Sequence, residues 1–179
     1  MELQSSRSTA LLPGRYTWAG FKPRISFAVE TGDWYAFQLF NGFFDIEQAV
    51  ESPDVVAVQF ARPSGLFGAG GQAVPAPAAN GAADVLRANP NLTVIETSTS
   101  RIGGLHGSQV TVEHAAGEAA QVMAVPPGPL SILPGRRLWI AFFDTPTGLL
   151  AIMVGGSVAK WDEALAAAEP VLESIEIGD

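Results

Sequence analysis

Residues 136–156 read Arg136-Arg137-Leu138-Trp139-Ile140-Ala141-Phe142-Phe143, then Asp144-Thr145-Pro146-Thr147-Gly148, then Leu149-Leu150-Ala151-Ile152-Met153-Val154 and Gly155-Gly156. Two apolar runs rich in aromatic and branched side chains flank a segment of Thr, Pro and Gly, a pattern that predicts a β-hairpin. The paired glycines are expected to end the second strand. A helical pattern follows from near Ser157, with Trp161, Leu165, Ala168 and Leu172 recurring on one apolar face. Asp162 and Glu163 fall in its early turns, where the helix dipole favours acids. Pro170 is expected to end or kink it, and Ser174-Ile175-Glu176-Ile177 reads as a short closing strand. Hairpin, helix and strand form a packing unit that carries no chemistry of its own.

Upstream of this unit the pattern stays mostly β. Gly14–Ala19 reads as a first strand, broken by Gly20-Phe21-Lys22-Pro23. From Arg24 to Glu30, Ile25, Phe27 and Val29 alternate with more polar residues, the mark of a half-buried strand. An aromatic strand at Trp34–Phe40 meets the hairpin signal Asn41-Gly42 and continues into Phe43–Gln48. Asp54–Ala61 places Val56, Val58 and Phe60 on one face, and the three runs predict an antiparallel meander. Leu92–Thr97, Ser108–His114 and Gln121–Val125 read as further strands, with a glycine turn at 103–107 and a stiff, proline-rich stretch from Pro126 to Gly135. A short helix carrying Ala82, Val85 and Leu86 is expected to be capped by Asn80 and stopped by Asn89-Pro90. Between Arg62 and Gly81 the glycines and prolines predict a long loop, with Leu66 and Phe67 docking on the core as a lid. The whole reads as a lead-in over 1–12 and a single α+β domain over 13–179: one curved antiparallel sheet with two helices packed on it.

Composition narrows the function classes. The 179 residues suit one domain, and a chain of that size buries roughly 70% of its unfolded surface. Eighteen acids against ten bases give a net charge of −8 with no basic stripe, which argues against nucleic acid and against attraction to an anionic membrane. With no cysteine, disulfides, a thiolate nucleophile and cysteine-bound metals are excluded. No apolar run approaches the ~20 residues needed to span a bilayer. Met1–Arg7 lacks a charged-then-apolar leader pattern. The expectation is an exported, extracytoplasmic protein whose signal is absent from this chain, with a cytoplasmic location as the alternative.

Candidate chemistry is sparse. Asp45 and Glu47 stand two apart on a predicted strand and so share a face, where paired carboxylates can do acid–base work or hold a cation. A solvated sheet face or loop rim is the ordinary reading of such a pair. Between Arg24 and Arg62 lie six acids and no base. Glu113 and His114 are adjacent and point to opposite faces of a strand, so they make no metal set. The glycines at 65, 68, 70 and 71 lack the Lys-Ser or Lys-Thr of a phosphate loop, and there is no Gly-x-Ser-x-Gly elbow. No cofactor and no metal are expected. Trp18, Trp34, Tyr35, Phe37, Phe40, Phe43 and Phe44 form the densest aromatic group. Such rings fill a core, line an apolar pocket or build an interface. Consecutive aromatics put rings on both faces of one strand, so one face is expected to take the helices and the other to need its own cover or a ligand. The candidate binding set is Trp18, Trp34, Tyr35, Phe37, Phe44, Asp45, Glu47, Leu66 and Phe67.

Leu12-Pro13-Gly14-Arg15-Tyr16 with Phe21-Lys22-Pro23-Arg24-Ile25-Ser26-Phe27 resembles the opening of small extracytoplasmic bacterial lipoprotein domains of PsbP-like fold. Asp84–Val94 with Gly103-Gly104-Leu105-His106-Gly107, and the closing Trp161–Ile177, resemble their middle and end. The resemblance implies an antiparallel sheet with helices packed on it and carries no catalytic set onto this chain. The expected function is a non-catalytic binding or accessory module of the bacterial cell envelope, holding a partner protein or an apolar small molecule; a homodimer is one arrangement compatible with it. The alternative is a small cyclase- or isomerase-type enzyme acting on an apolar substrate, with Asp45 or Glu47 as acid or base. An enclosed aromatic cavity holding an ionisable group would favour the enzyme, and a filled core with an exposed aromatic patch would favour the partner-binding module.

Overall fold

The computed structural model describes residues 9–18, 20–48, 54–126 and 128–178. Along the chain run β1 (Thr9–Leu11), β2 (Gly14–Trp18), β3 (Arg24–Val29), β4 (Trp34–Phe40), β5 (Phe43–Gln48), β6 (Ala57–Ala61), β7 (Gly65–Phe67), β8 (Ala73–Pro75) and α1 (Ala82–Arg87). Then follow β9 (Leu92–Ile102), β10 (Leu105–His114), β11 (Ala120–Ala124), β12 (Pro129–Ile132), β13 (Arg136–Thr145), β14 (Gly148–Ser157), α2 (Trp161–Glu173) and β15 (Glu176–Gly178).

The β13–β14 hairpin sits at the centre. Its strands pair from Arg136↔Ser157 to Thr145↔Gly148, flanked by β6 on one side and β10 on the other. The full order of this large sheet is β1-β4-β5-β6-β14-β13-β10-β9, so the meander β4-β5-β6 is present as expected. β9 and β10 turn through Gly103 and Gly104, both at positive φ, the conformation a two-residue hairpin demands of its centre.

A single curved sheet is not what forms. Among the described residues there are three sheets: the large one, a four-stranded β12-β11-β7-β8 and a three-stranded β15-β3-β2. Alternation along the central strands explains why. Phe44, Ile46, Val58, Phe60, Ile152 and Val154 point to one face and join a core with α2 and the three-stranded sheet. Phe43, Ala61, Ala151, Met153, Ile140 and Phe142 point to the other and join a second core with α1 and the four-stranded sheet. A central strand apolar on both faces must be covered on both faces, and the extra sheets supply the cover.

That requirement also reshapes residues 62–81. Inside the stretch read as a loop, β7 and β8 form a hairpin, and β7 joins β11 through Leu66↔Met123. Leu66 is fully buried, so it is a core strand residue and not part of a lid. Asn80 lies in a 3₁₀ turn at Ala79–Gly81 that runs straight into α1, and no side chain caps that helix. Thr9–Leu11, within the stretch read as lead-in, pairs with Trp34–Ala36.

Two details of the closing unit also differ from expectation. Gly155 and Gly156 do not end β14, which continues to Ser157. A Cβ at Gly156 would lie 2.6 Å from the Cβ of Ala164, so the glycine lets α2 settle directly on the sheet. α2 buries Trp161, Ala164, Ala168 and Val171, and runs through Pro170 to Glu173. The ring leaves the Ala166 carbonyl without its helical donor, and both residues are exposed, so the loss falls on the solvent side of the helix. Trp161 packs beneath the guanidinium of Arg137, 5.3 Å from the ring centroid, and Arg137 in turn donates through Nε to Glu113 at 2.6 Å.

Candidate functional site

The acid pair lies on the same face of the large sheet, as its spacing predicts. Asp45 in β5 stands opposite Gln38 in β4 and Gln59 in β6. The ladder of β4 slips between Ala36 and Gln38, leaving Phe37 as an extra residue. The bulge frees the Gln38 N–H, which donates to Asp45 Oδ1 at 2.6 Å. Asp45 is 1% exposed, which corrects the solvated-face reading. Burial pushes its carboxyl up to about 7, against the lowering effect of the Gln38 amide; the Glu47 charge raises it further, and the Gln59 side chain opposes.

Glu47 is half-buried and lines a cavity of about 150 Å³ together with Gln59, Leu130, Leu133 and Arg136. Burial raises its carboxyl and the Arg136 charge opposes the shift. Burial lowers Arg136, countered by Glu47 and Asp54, and its Nη2 donates to the Val55 carbonyl at 2.8 Å. This arrangement could position a small polar group, but Asp45 does not line the cavity. Gln38, Gln59 and Arg136 are absent from the candidate set read off the sequence. The two glutamines become visible only once the strand register is known, and no local pattern marks Arg136.

The aromatic candidates divide between the two faces. Phe44 stacks on Phe60 with centroids 4.3 Å apart and meets Phe27 and Phe21 at 6.1 and 5.4 Å. Trp34 is buried in the same core, and Trp18 packs half-buried against it. The Trp18 Nε1 donates to the Phe40 carbonyl at 3.4 Å. Tyr35 is half-buried, whereas Phe37 is 48% and Phe40 39% exposed. Leu66 and the half-buried Phe67 lie in the four-stranded sheet, where the Phe67 carbonyl accepts from Asn89 Nδ2 at 3.0 Å. The structure therefore brings Tyr35, Phe37, Asp45 and Glu47 to one strand pair, puts Trp34, Phe44 and Leu66 into cores, and leaves Phe67 half-buried in the four-stranded sheet.

His106 is exposed, and His114 is half-buried with an Nε2 that has no hydrogen-bond partner. Among the described residues no three His, Cys, Asp or Glu side chains gather closely enough to hold a metal. No described helix is long and apolar enough to cross a membrane.

No protein-family model and no curated protein matches the sequence. Solved structures do. The cyanobacterial PsbP protein CyanoP of Synechocystis sp. PCC 6803 superposes with a TM-score of 0.50 at 12% identity, over 98% of each chain. The chain has the PsbP-like fold. LpqN of Mycobacterium tuberculosis, described as involved in cell envelope biogenesis, aligns at 10% identity and TM-score 0.45 over 97% of this chain and 91% of its own. A Bacteroides thetaiotaomicron protein aligns at 13% identity and TM-score 0.46 over 87% of this chain and 45% of its own. At these identities the PsbP-like likeness is one of architecture, and the function has to be argued from the residues.

Proposed function

We propose that this chain is a non-catalytic accessory module of the bacterial cell envelope that holds a partner protein against β4. The exposed pair Phe37 and Phe40 carries the reading. Large aromatics on a surface are a signature of interfaces, where they supply contact area at low entropic cost. Of the other clustered rings, Trp34 and Phe44 are buried in one core and Phe43 in the second, and Phe44 stacks on Phe60, so these rings fill cores instead of lining an open apolar pocket. Glu30 and Asp33, both exposed, border the entry to β4. A partner of matching chemistry presents an apolar patch rimmed by lysine or arginine.

The enzyme reading has less support. Asp45 is tuned like an acid–base group, but it is closed off by its neighbours and opens onto no described cavity. The extracytoplasmic placement rests on the sequence resemblance to lipoprotein domains.

Native mass spectrometry of the protein purified from its source cells tests the proposal. The expected result is a stoichiometric complex with one identifiable protein, weakened about tenfold or more by Phe37→Ser with Phe40→Ser, since interface anchors commonly carry over 1 kcal/mol each. Both side chains are already substantially exposed, so the variant should fold. A bare monomer, or a complex indifferent to the double variant, overturns the reading.

A further inference from the structure

A cleft of about 570 Å³ opens at the end of the molecule where the β4–β5 and β13–β14 turns meet. Lys22, Asn41, Arg62, Ser64 and Thr147 bring polar groups to it, and Leu149 supplies an apolar wall. Among the described residues no carboxylate lines it. In a chain with eighteen acids and ten bases, two cations in one concavity without counter-charge is unexpected. Among the described residues neither Lys22 nor Arg62 forms an ion pair. Asp144, opposite Leu149 in the hairpin, accepts from the Ala79 N–H at 3.0 Å.

Two other cavities also hold two arginines each, but each includes a carboxylate: Glu47 with Arg136 and Arg137 in one, Glu176 with Arg15 and Arg24 in the other. The one beside Glu47 already sets that carboxylate against Arg136. The one over the three-stranded sheet, about 450 Å³, holds Arg15 ion-paired with Glu176 at 3.2 Å.

The Arg62 guanidinium and the Lys22 backbone are also held. Arg62 donates through Nη2 to the Thr147 carbonyl, and Thr147 Oγ1 donates to the Lys22 carbonyl at 3.3 Å. One relay thus ties the strand end that carries Arg62 to the β13–β14 turn and to the segment that carries Lys22. That contact uses one of the guanidinium's five N–H groups, leaving donors for a ligand. A planar fork beside a mobile point charge suits an oxyanion with several acceptor oxygens, the fork supplying geometry and the ammonium supplying charge. The hydroxyls of Ser64 and Thr147 and the amide of Asn41 can complete the shell. The volume falls within the range of about 300–1,000 Å³ typical of small-molecule sites.

We infer that this cleft binds a phosphate ester, its phosphoryl group held between Lys22 and Arg62 and its organic portion lying against Leu149. The site is separate from the aromatic surface of β4 and does not depend on the partner proposed for it.

The test is a titration of the ¹⁵N-labelled protein with inorganic phosphate at constant ionic strength, with chloride as the control. Saturable shifts are expected at the backbone amides of Asn41, Gly42, Thr147 and Gly148, with none of comparable size from chloride. Lys22→Gln should weaken phosphate about tenfold, as expected for a lost charge-assisted hydrogen bond. Lys22 is exposed, so this variant keeps the test decisive even if Arg62→Ala fails to fold. Sedimentation with phosphatidylcholine vesicles, with and without phosphatidic acid, separates the sources. Lys22-dependent binding to the acidic vesicles assigns the ester to a lipid headgroup, and saturable phosphate shifts without it assign a soluble ester. Shifts that do not saturate, or that persist unchanged in Lys22→Gln, overturn the inference. Phe37→Ser should leave the phosphate shifts intact.

Discussion

Phe60→Ala is expected to cost about 3–5 kcal/mol of folding stability, the range for deleting a buried aromatic ring. Phe60 is fully buried on β6, a central strand between β5 and β14. Its ring stacks on Phe44 at 4.3 Å with an interplanar angle of 14° and on Phe27 at 5.7 Å. Phe27 belongs to the three-stranded sheet and Phe44 to the large one, so removing Phe60 opens a void between two layers that are each hydrogen-bonded internally. Such a site collapses poorly, which puts the cost in the upper part of the range. For a chain of this size each kcal/mol lowers Tm by about 2–4 °C, so a fall of roughly 10 °C is expected. Urea unfolding followed by circular dichroism checks it. Phe60→Leu, which keeps most of the volume, should lose far less. Equal losses for the two variants would show that the stack is not what holds the layers together.

This stack was half legible in the sequence. Phe27 stands on a strictly alternating run and Phe60 falls in step with Val56 and Val58, so the face each ring shares followed from period two. The β13–β14 hairpin was legible for the same reason, local pattern and turn chemistry agreeing there, and so were Trp161 and Ala168 on α2, although Ala164 and Val171 complete the buried face while Leu165 and Leu172 are only half-buried. The second core was not. β7 and β11 are short strands that pair with each other across more than fifty residues of chain, and each has few residues over which alternation can accumulate. Glycine and proline in 62–81 signalled turns correctly but hid the hairpin between them. Still, the consecutive aromatics of β5 predicted that the second face would need a cover, and α1 with the four-stranded sheet provides it.

At the candidate site the pattern gave the shared face of Asp45 and Glu47 but not their environment. Whether a strand carboxylate meets water depends on what the neighbouring strands put beside it. Here that is Gln38 and Gln59, set by the register of three strands and by the bulge at Phe37. A bulge depends on the mismatch between two strands, and neither strand shows it alone. Lys22 and Arg62 lie forty positions apart in unremarkable turn sequences, and only the folding of β4–β5 against β13–β14 brings them into one cleft.

Asp45→Asn is expected to raise stability at pH 8 and to flatten the dependence of stability on pH between about 4 and 7. The native carboxyl titrates near 7, raised from 3.8 first by burial. Between those values the folded state keeps a proton that the unfolded state releases, so unfolding frees protons and stability must fall as pH rises. The contribution is therefore fully present below about 4 and lost as pH climbs through 7. A shift of this size corresponds to roughly 4 kcal/mol. Glu47, also raised by burial, acts with the same sign. Carboxylates held below their ordinary range act oppositely, so the quantity to measure is the wild-type stability minus that of Asp45→Asn across pH 4 to 8. The amide oxygen introduced by Asp45→Asn can still accept from the Gln38 N–H, which keeps the bulge and removes only the charge. Asp45→Leu should fare worse at acid pH than Asp45→Asn, because it leaves that N–H buried without an acceptor. A difference that is flat with pH would mean that the carboxyl titrates in the folded state as it does in water, and the packed environment drawn for it would be wrong.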